Sequence, residues 1–303
     1  MTAKSFHGII PPMITPLLNR EKPDFDAIEK LVEHLLTGGV HGIFVLGTTG
    51  EGPSLSWNRQ RQVIQHTCAL VGDRVPVLVG ITGPSLYESR ALAGFAAERG
   101  AKAVVAAAPP YFPLTPTELS GYVEELADNL PLPLFLYNMP SHTKIAFDLE
   151  TVARCMDIPG VIGLKDSSGT MSYFHRVASL IAKSRPDWSL LVGPEDLLAE
   201  SVLLGGDGGV CGGANLFPRL YVDLYDAAKR GDLTRVANLQ QRVMQVTELY
   251  RVGQTPSAVI QAIKTGLSHL NIGDGTLAAP LGVMGMEERE KLWQMIDAIG
   301  ASC

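Results

Sequence analysis

The chain has 303 residues, 46% of them hydrophobic and 18% charged, with a net charge of −6, which is enough apolar material to bury one large core. A pI near 5.7 argues against a nucleic-acid or acidic-membrane surface, and no apolar run reaches the length that spans a bilayer. The opening Met1-Thr2-Ala3-Lys4-Ser5-Phe6-His7 has no signal-like apolar stretch behind it, so the reading is a soluble cytoplasmic protein.

Short apolar runs alternate with helical patterns from residue 8 to residue 229. Strands are predicted at 8–14, 42–46, 75–80, 103–107, 134–137, 161–165, 190–193 and 208–211. Each is followed by a helix: 25–36, 58–70, 86–98, 117–130, 149–156, 171–183, 197–204 and 220–229. Eight strand–helix pairs in one chain fit a closed (β/α)₈ TIM barrel better than an open doubly wound sheet. Beyond Gly231 the alternation stops, and 233–252, 257–267 and 287–299 read as three helices with a glycine-rich loop at 271–286. Lacking strands, they cannot extend the barrel and should pack against its side or a partner subunit. The expected organisation is therefore a barrel over 1–230 and a helical extension over 231–303.

Three predicted strands end in residues with chemical potential. The run Val161-Ile162-Gly163-Leu164 ends in Lys165 and then Asp166. Burial disfavours an ammonium, and an amine freed of its proton can attack a carbonyl to form a Schiff base. Taken alone, a strand-end lysine reaching back to water is the commoner arrangement. One strand upstream, Leu134-Phe135-Leu136 ends in Tyr137-Asn138-Met139-Pro140, which puts Tyr137 and Lys165 at matching ends of neighbouring parallel strands. Tyr137 could instead be a core tyrosine with a satisfied hydroxyl. The run 42–46 ends in Gly47-Thr48-Thr49-Gly50-Glu51, whose amides and hydroxyls could cradle a carboxylate or form an ordinary turn.

Other chemistries find less support. Cys68, Cys155, Cys211 and Cys303 are scattered without a C-x-x-C pair, and the seven histidines lack H-E-x-x-H spacing, so neither a disulfide framework nor a metal site is expected. The runs around Gly205–Gly209 and Gly212-Gly213 contain no phosphate-binding G-x-x-x-x-G-K-[ST]. Gly212 reads as a tight barrel turn or a point of close substrate approach, and no nucleotide cofactor is expected.

With Gly47-Thr48-Thr49-Gly50-Glu51, Tyr137-Asn138-Met139-Pro140 and Gly163-Leu164-Lys165-Asp166 in this order and spacing, the chain resembles the dihydrodipicolinate synthase / N-acetylneuraminate lyase family of Schiff-base aldolases over nearly its full length. The resemblance implies a TIM barrel with a helical extension, assembled as a homotetramer of tight dimers. It also implies that a 2-oxo acid, commonly pyruvate, condenses with Lys165 without any other cofactor. By the same resemblance Tyr137 shuttles protons at the substrate, while Thr48 and Thr49, with Gly50, hold the keto-acid carboxylate and lead into a proton relay. Tyr111 falls at a relay tyrosine that some members contribute across the dimer interface. Each position follows a predicted strand, on the face where TIM-barrel active sites lie.

Two departures bear on the substrate. In the synthase proper an arginine stands two residues after the proline of the Tyr-Asn-x-Pro motif and clamps the carboxylate of aspartate semialdehyde. Here that position is His142, which offers no two-pronged cationic fork and could simply cap a loop. Gly193-Pro194-Glu195-Asp196 falls where the sialic acid lyases carry acidic residues for sugar hydroxyls. Gly193 and Glu195 are thus candidates for binding a polyol, although a solvated helix N-terminus fits as well. The leading expectation is an aldolase or lyase acting on a 2-keto-3-deoxy sugar acid or a related 2-oxo acid. Behind it stand dihydrodipicolinate synthesis, a dehydratase using the same iminium, and a non-catalytic 2-oxo-acid sensor.

Overall fold

The computed structural model describes residues 6–300; Met1–Ser5 and 301–303, with Cys303, lie outside the described residues. Eight parallel strands run β1 (Gly8–Ile9), β2 (Ile43–Val45), β3 (Val77–Gly80), β4 (Ala103–Ala107), β5 (Leu134–Asn138), β6 (Val161–Asp166), β7 (Ser189–Val192) and β8 (Gly208–Gly209). They pair in the order β1-β8-β7-β6-β5-β4-β3-β2. The ring closes between the two ends of that order, where Phe44 N–H donates to Pro11 O at 3.0 Å and Met13 N–H to Phe44 O at 2.8 Å. The predicted strand at 8–14 survives only as Gly8–Ile9 and a lone bridge from Pro12 to Phe44. Pro11 and Pro12 have no N–H to give to a ladder, so their own contribution to the seam is limited to carbonyls.

Helices α1 (Phe25–Thr37), α2 (Trp57–Val71), α3 (Leu86–Glu98) and α4 (Pro116–Ala127) follow the first four strands. After them come α5 (Pro140–Thr143), α6 (Leu149–Met156), α7 (Met171–Ser184), α8 (Leu198–Leu203) and α9 (Pro218–Arg230). The longer ones cover the barrel with one apolar stripe each. In α1 Ala27, Ile28, Leu31, Val32 and Leu35 are buried, and Asp24 caps the helix by accepting from Ala27 N–H at 3.1 Å, which fits helical periodicity and N-cap preference. The short α5 went unpredicted because four residues carry no periodic signal. Helix α4 stops at Ala127 rather than at 130, because Asp128 leaves it as extended backbone, and Asn129 then turns the chain in left-handed conformation (φ 61°).

Strand alternation sorts the core into two layers. Ile10, Phe44, Leu78, Val105, Phe135 and Leu191 fill the barrel interior, and a larger cluster fills the space between strands and helices. Phe6 packs edge to face on Phe135, centroids 5.3 Å apart, inside that interior layer. On β4 the inward positions Ala103 and Ala107 are small, which leaves room for the aromatic rings of β5 and for a cavity above them.

Gly163 is fixed by that packing. A Cβ there would lie 2.5 Å from Phe135 Cε1 and closer still to the Ser189 carbonyl. Gly163→Ala is therefore expected to destabilise the fold by about 1–3 kcal/mol, as overpacked cores do. Urea unfolding checks this: the midpoint should fall with an unchanged m value, and an unshifted midpoint would show that the ring can move aside.

Helices α10 (Leu233–Leu249), α11 (Ala258–His269) and α12 (Met286–Gly300) form the extension. Helix α10 packs on α9 and α12, and α11 packs on α12 and the turn after β8. Among the described residues no helix is long and apolar enough to cross a membrane.

Candidate active site

The register sets the centre of the site. Tyr137 pairs with Lys165 across β5 and β6, and Tyr137 pairs with Ala107 of β4 on its other side. Both residues stand at the C-terminal end of their strands, pointing inward. Lys165 is only 5% exposed, and its Nζ lies 3.9 Å from the centroid of the Tyr137 ring and 5.1 Å from that of Phe44. An ammonium over two ring faces is held by their quadrupoles.

The hydroxyl of Tyr137 lies 3.4 Å from Thr48 Oγ1. Burial alone would raise the phenol's pKa, but the Lys165 charge and hydrogen bonds with Thr48, Ser167 and Lys165 outweigh it and bring the group below its ordinary value. A phenol so placed gives and takes a proton more readily than one in water.

The residue after each of these two is a structural tie that the sequence reading did not single out. Alternation turns Asn138 and Asp166 away from the interior. Asn138 Nδ2 donates to Asp166 Oδ1 at 2.8 Å, and Asn138 Oδ1 accepts from Phe147 N–H at 3.1 Å. Asp166 also accepts from Ser168 N–H and Oγ. Burial pushes the Asp166 carboxyl up, and the Asn138 and Ser168 hydrogen bonds oppose that.

Thr48 and Thr49 sit half-buried on the turn Gly47–Glu51. The turn closes on itself, Glu51 N–H donating to Thr48 O at 3.0 Å and Gly52 N–H to Gly47 O at 3.2 Å. Thr15 Oγ1 donates to Gly50 O at 2.7 Å, which ties the turn to the strand seam. Glu51, in left-handed conformation (φ 56°), sends its carboxylate away from the threonines to an ion pair with Lys264 of α11 and accepts from Ala278 N–H at 2.7 Å. Burial pulls the Lys264 ammonium below its usual range, and Glu51 opposes that pull.

A cavity of about 750 Å³ opens above Tyr137 and Thr48. Met139, His142 and Thr143 line it on the β5 side, and Pro256, Ser257, Ile260 and Leu281 line it from the extension. The extension thus walls the site as well as bracing the barrel, a role that the sequence reading did not assign. His142 bonds Ser141 through Nδ1 at 3.0 Å. Partial burial, then the Lys144 charge, keeps its imidazole below the usual range and so neutral at pH 7.

The remaining expected site residues divide. Gly193 N–H donates to Asp166 O at 2.7 Å, and a Cβ on Gly193 would collide with Ser167, so this glycine seats a residue that contacts the Tyr137 hydroxyl. Gly212 borders Glu195, Ile263 and Tyr250. The expectation that Glu195 receives sugar hydroxyls is corrected: the carboxylate is buried, Oε1 accepting from Tyr221 and Tyr250 hydroxyls at 2.7 Å each and Oε2 from Gly213 N–H at 2.7 Å. Three of its acceptor positions are taken up inside the protein. Burial raises its pKa, with those donors acting against the rise. Tyr111 is 89% exposed beside Phe112 on the loop after β4, at φ 87°; it stands apart from Tyr137 and Thr48 within one chain, and Pro110 lines the cavity instead.

An amine and a phenol opposed in this way suit carbonyl chemistry through an iminium, and class I lyases and aldolases are the group of enzymes that the pairing defines. Matched over residues 5–299, the chain belongs to the dihydrodipicolinate synthetase family. It is 31% identical over 299 residues to a probable 2-dehydro-3-deoxy-D-pentonate aldolase of Escherichia coli, covering 98% of each chain. Identity is 32% over 285 residues to the 4-hydroxy-tetrahydrodipicolinate synthase of Kosmotoga olearia, 94% of this chain and 95% of that one. The structure of dihydrodipicolinate synthase from Bacteroides thetaiotaomicron matches with a TM-score of 0.94 at 48% identity, covering 98% of this chain and 100% of that chain.

Proposed function

We propose that Lys165 forms a Schiff base with the keto carbon of a 2-keto-3-deoxy sugar acid or related 2-oxo acid and that the protein makes or breaks the C3–C4 bond, releasing or consuming pyruvate. The observation that carries this reading is the opposition of Lys165 and Tyr137 in register, beneath Thr48. The Lys165 amine attacks C2, the carbinolamine loses water, and the resulting iminium draws in the electron pair of the C3–C4 bond. As that bond breaks, the C4 hydroxyl gives up its proton and leaves as an aldehyde. The enamine then takes a proton at C3, and water frees the pyruvate.

Tyr137, with Thr48 beside its hydroxyl, moves the protons at the carbinolamine and at the aldehyde oxygen. Thr48, Thr49 and Gly50 hold the carboxylate. No further cofactor enters this scheme. The protein works as a homo-oligomer, a tetramer of tight dimers, in which the exposed Tyr111 completes the relay of a partner's site. The solvent-facing aromatic pair of Tyr111 and Phe112 supports that arrangement.

The neutral His142 supports a hydroxylated aldehyde over aspartate semialdehyde. Retro-aldol cleavage of 2-keto-3-deoxy sugar acids, read as pyruvate by lactate dehydrogenase, is expected to exceed condensation of pyruvate with aspartate semialdehyde. His142→Arg should narrow or reverse the preference, since a charged bidentate bond is worth about 1.5–3 kcal/mol, or roughly one to two decades in rate. Efficient dihydrodipicolinate formation by the unmodified enzyme would instead make it a synthase, and cleavage of neither substrate with ready water loss from the sugar acid would make it a dehydratase.

A further inference from the structure

Thr48 and Thr49 belong to a turn whose own backbone bonds give it shape but not a place in the barrel. Its long-range ties are the contact of Thr48 Oγ1 with the Tyr137 hydroxyl, the Thr15 hydroxyl on Gly50 O and the Glu51 carboxylate. Glu51 reaches Lys264 on α11 and the Ala278 amide on the loop before α12, and Lys264 Nζ donates onward to Thr276 O at 2.8 Å. Both side chains of the pair are sealed from solvent, Lys264 at 2% and Glu51 at 0% exposure.

A buried ion pair is a poor device for stability, because desolvating both charges offsets most of their attraction. Its strength is geometric: each charge can be satisfied only in one place, so the groups that carry them are fixed. Here the fixed group lies two residues from Thr49, and the anchor lies on the helix whose N-terminal end (Ser257, Ile260) lines the same cavity.

We infer that Glu51 and Lys264 are positioning residues for the Thr48–Thr49 turn, setting the affinity of the site for the carboxylate of its 2-oxo acid from within the C-terminal extension. The inference rests on the reading of Thr48 and Thr49 as the carboxylate cradle. Both residues act through the turn, without touching the substrate. Their effect belongs first in binding of the keto acid, and any loss in kcat through the Thr48–Tyr137 contact comes on top of it.

The test is a set of three variants assayed for pyruvate KM, kcat and borohydride trapping. Lys264→Met alone strands a buried carboxylate and is at risk of not folding. Glu51→Gln/Lys264→Met removes both charges together, leaves an amide oxygen at position 51 for the Ala278 N–H, and loses the link to α11. It is expected to fold, to raise the pyruvate KM by about tenfold, the size of one misplaced hydrogen-bonding partner, and to keep Lys165 trapping at saturating pyruvate. Lys264→Arg keeps a cation on α11 for one Glu51 oxygen and leaves the other to the Ala278 N–H, and should hold the KM to within a few fold of the wild type. A folded double variant with an unchanged KM, or one in which kcat falls and KM does not, overturns the positioning inference alone. A wild-type protein that forms no adduct with pyruvate overturns it together with the reading on which it rests.

Discussion

Incubation with pyruvate and borohydride is expected to leave one reduced adduct, on Lys165, and Lys165→Met should abolish both adduct and turnover. Three other lysines are placed to fail. Lys102 has a side chain 50% exposed and pairs with Asp73, Lys144 is exposed and donates to Ser141 O, and the buried Lys264 is occupied by Glu51 and Thr276. Lys165 combines burial, a place at the end of a barrel strand and contact with the ring of Tyr137, which lines the cavity. The effect is the largest of any single substitution because the iminium is the electron sink for every later step. Peptide mapping that found the label on Lys102 or Lys144, with Lys165 unmodified, would move the site elsewhere.

Tyr137→Phe is expected to lower turnover by about 10²–10⁴-fold, the usual worth of a positioned general acid–base group, while the protein stays folded. The ring is retained, so the face beneath Lys165 Nζ remains and the adduct with pyruvate should still form, only slowly. What is lost is the hydroxyl that contacts Thr48 and Ser167. Single-turnover kinetics separate the two contributions: slow adduct formation and slow release together mark proton transfer, whereas near-normal turnover would reduce Tyr137 to packing.

The strand–helix alternation and the three motif ends were legible because each depends on local pattern. A short apolar run followed by a lysine is visible without knowing its neighbours, and the spacing from Tyr137 to Lys165 spans one crossover unit, which returns them to adjacent strands. Glu195 misled for the opposite reason. Its partners Tyr221 and Tyr250 lie on α9 and just past α10, so an acidic residue after a strand looked exposed when distant tyrosines in fact enclose it. The wall made by Ser257, Ile260 and Leu281 was hidden likewise, since nothing in those residue types marks them as facing a cavity. Tyr111 is exposed and apart from Tyr137 and Thr48 within one chain, so the relay role proposed for it would need a second chain.

The Asn138–Asp166 hydrogen bond has a consequence for redesign. Because strands alternate their faces, positions 137 and 165 carry the chemistry while 138 and 166, facing the helices, tie together the two strand tips that the backbone ladder spaces. Bracing and reactivity are thus written in separate letters of the same two motifs. New functional groups installed at 137 and 165 would inherit a ready-made separation and orientation, whereas a change at 138 or 166 would detune any chemistry placed there, native or foreign.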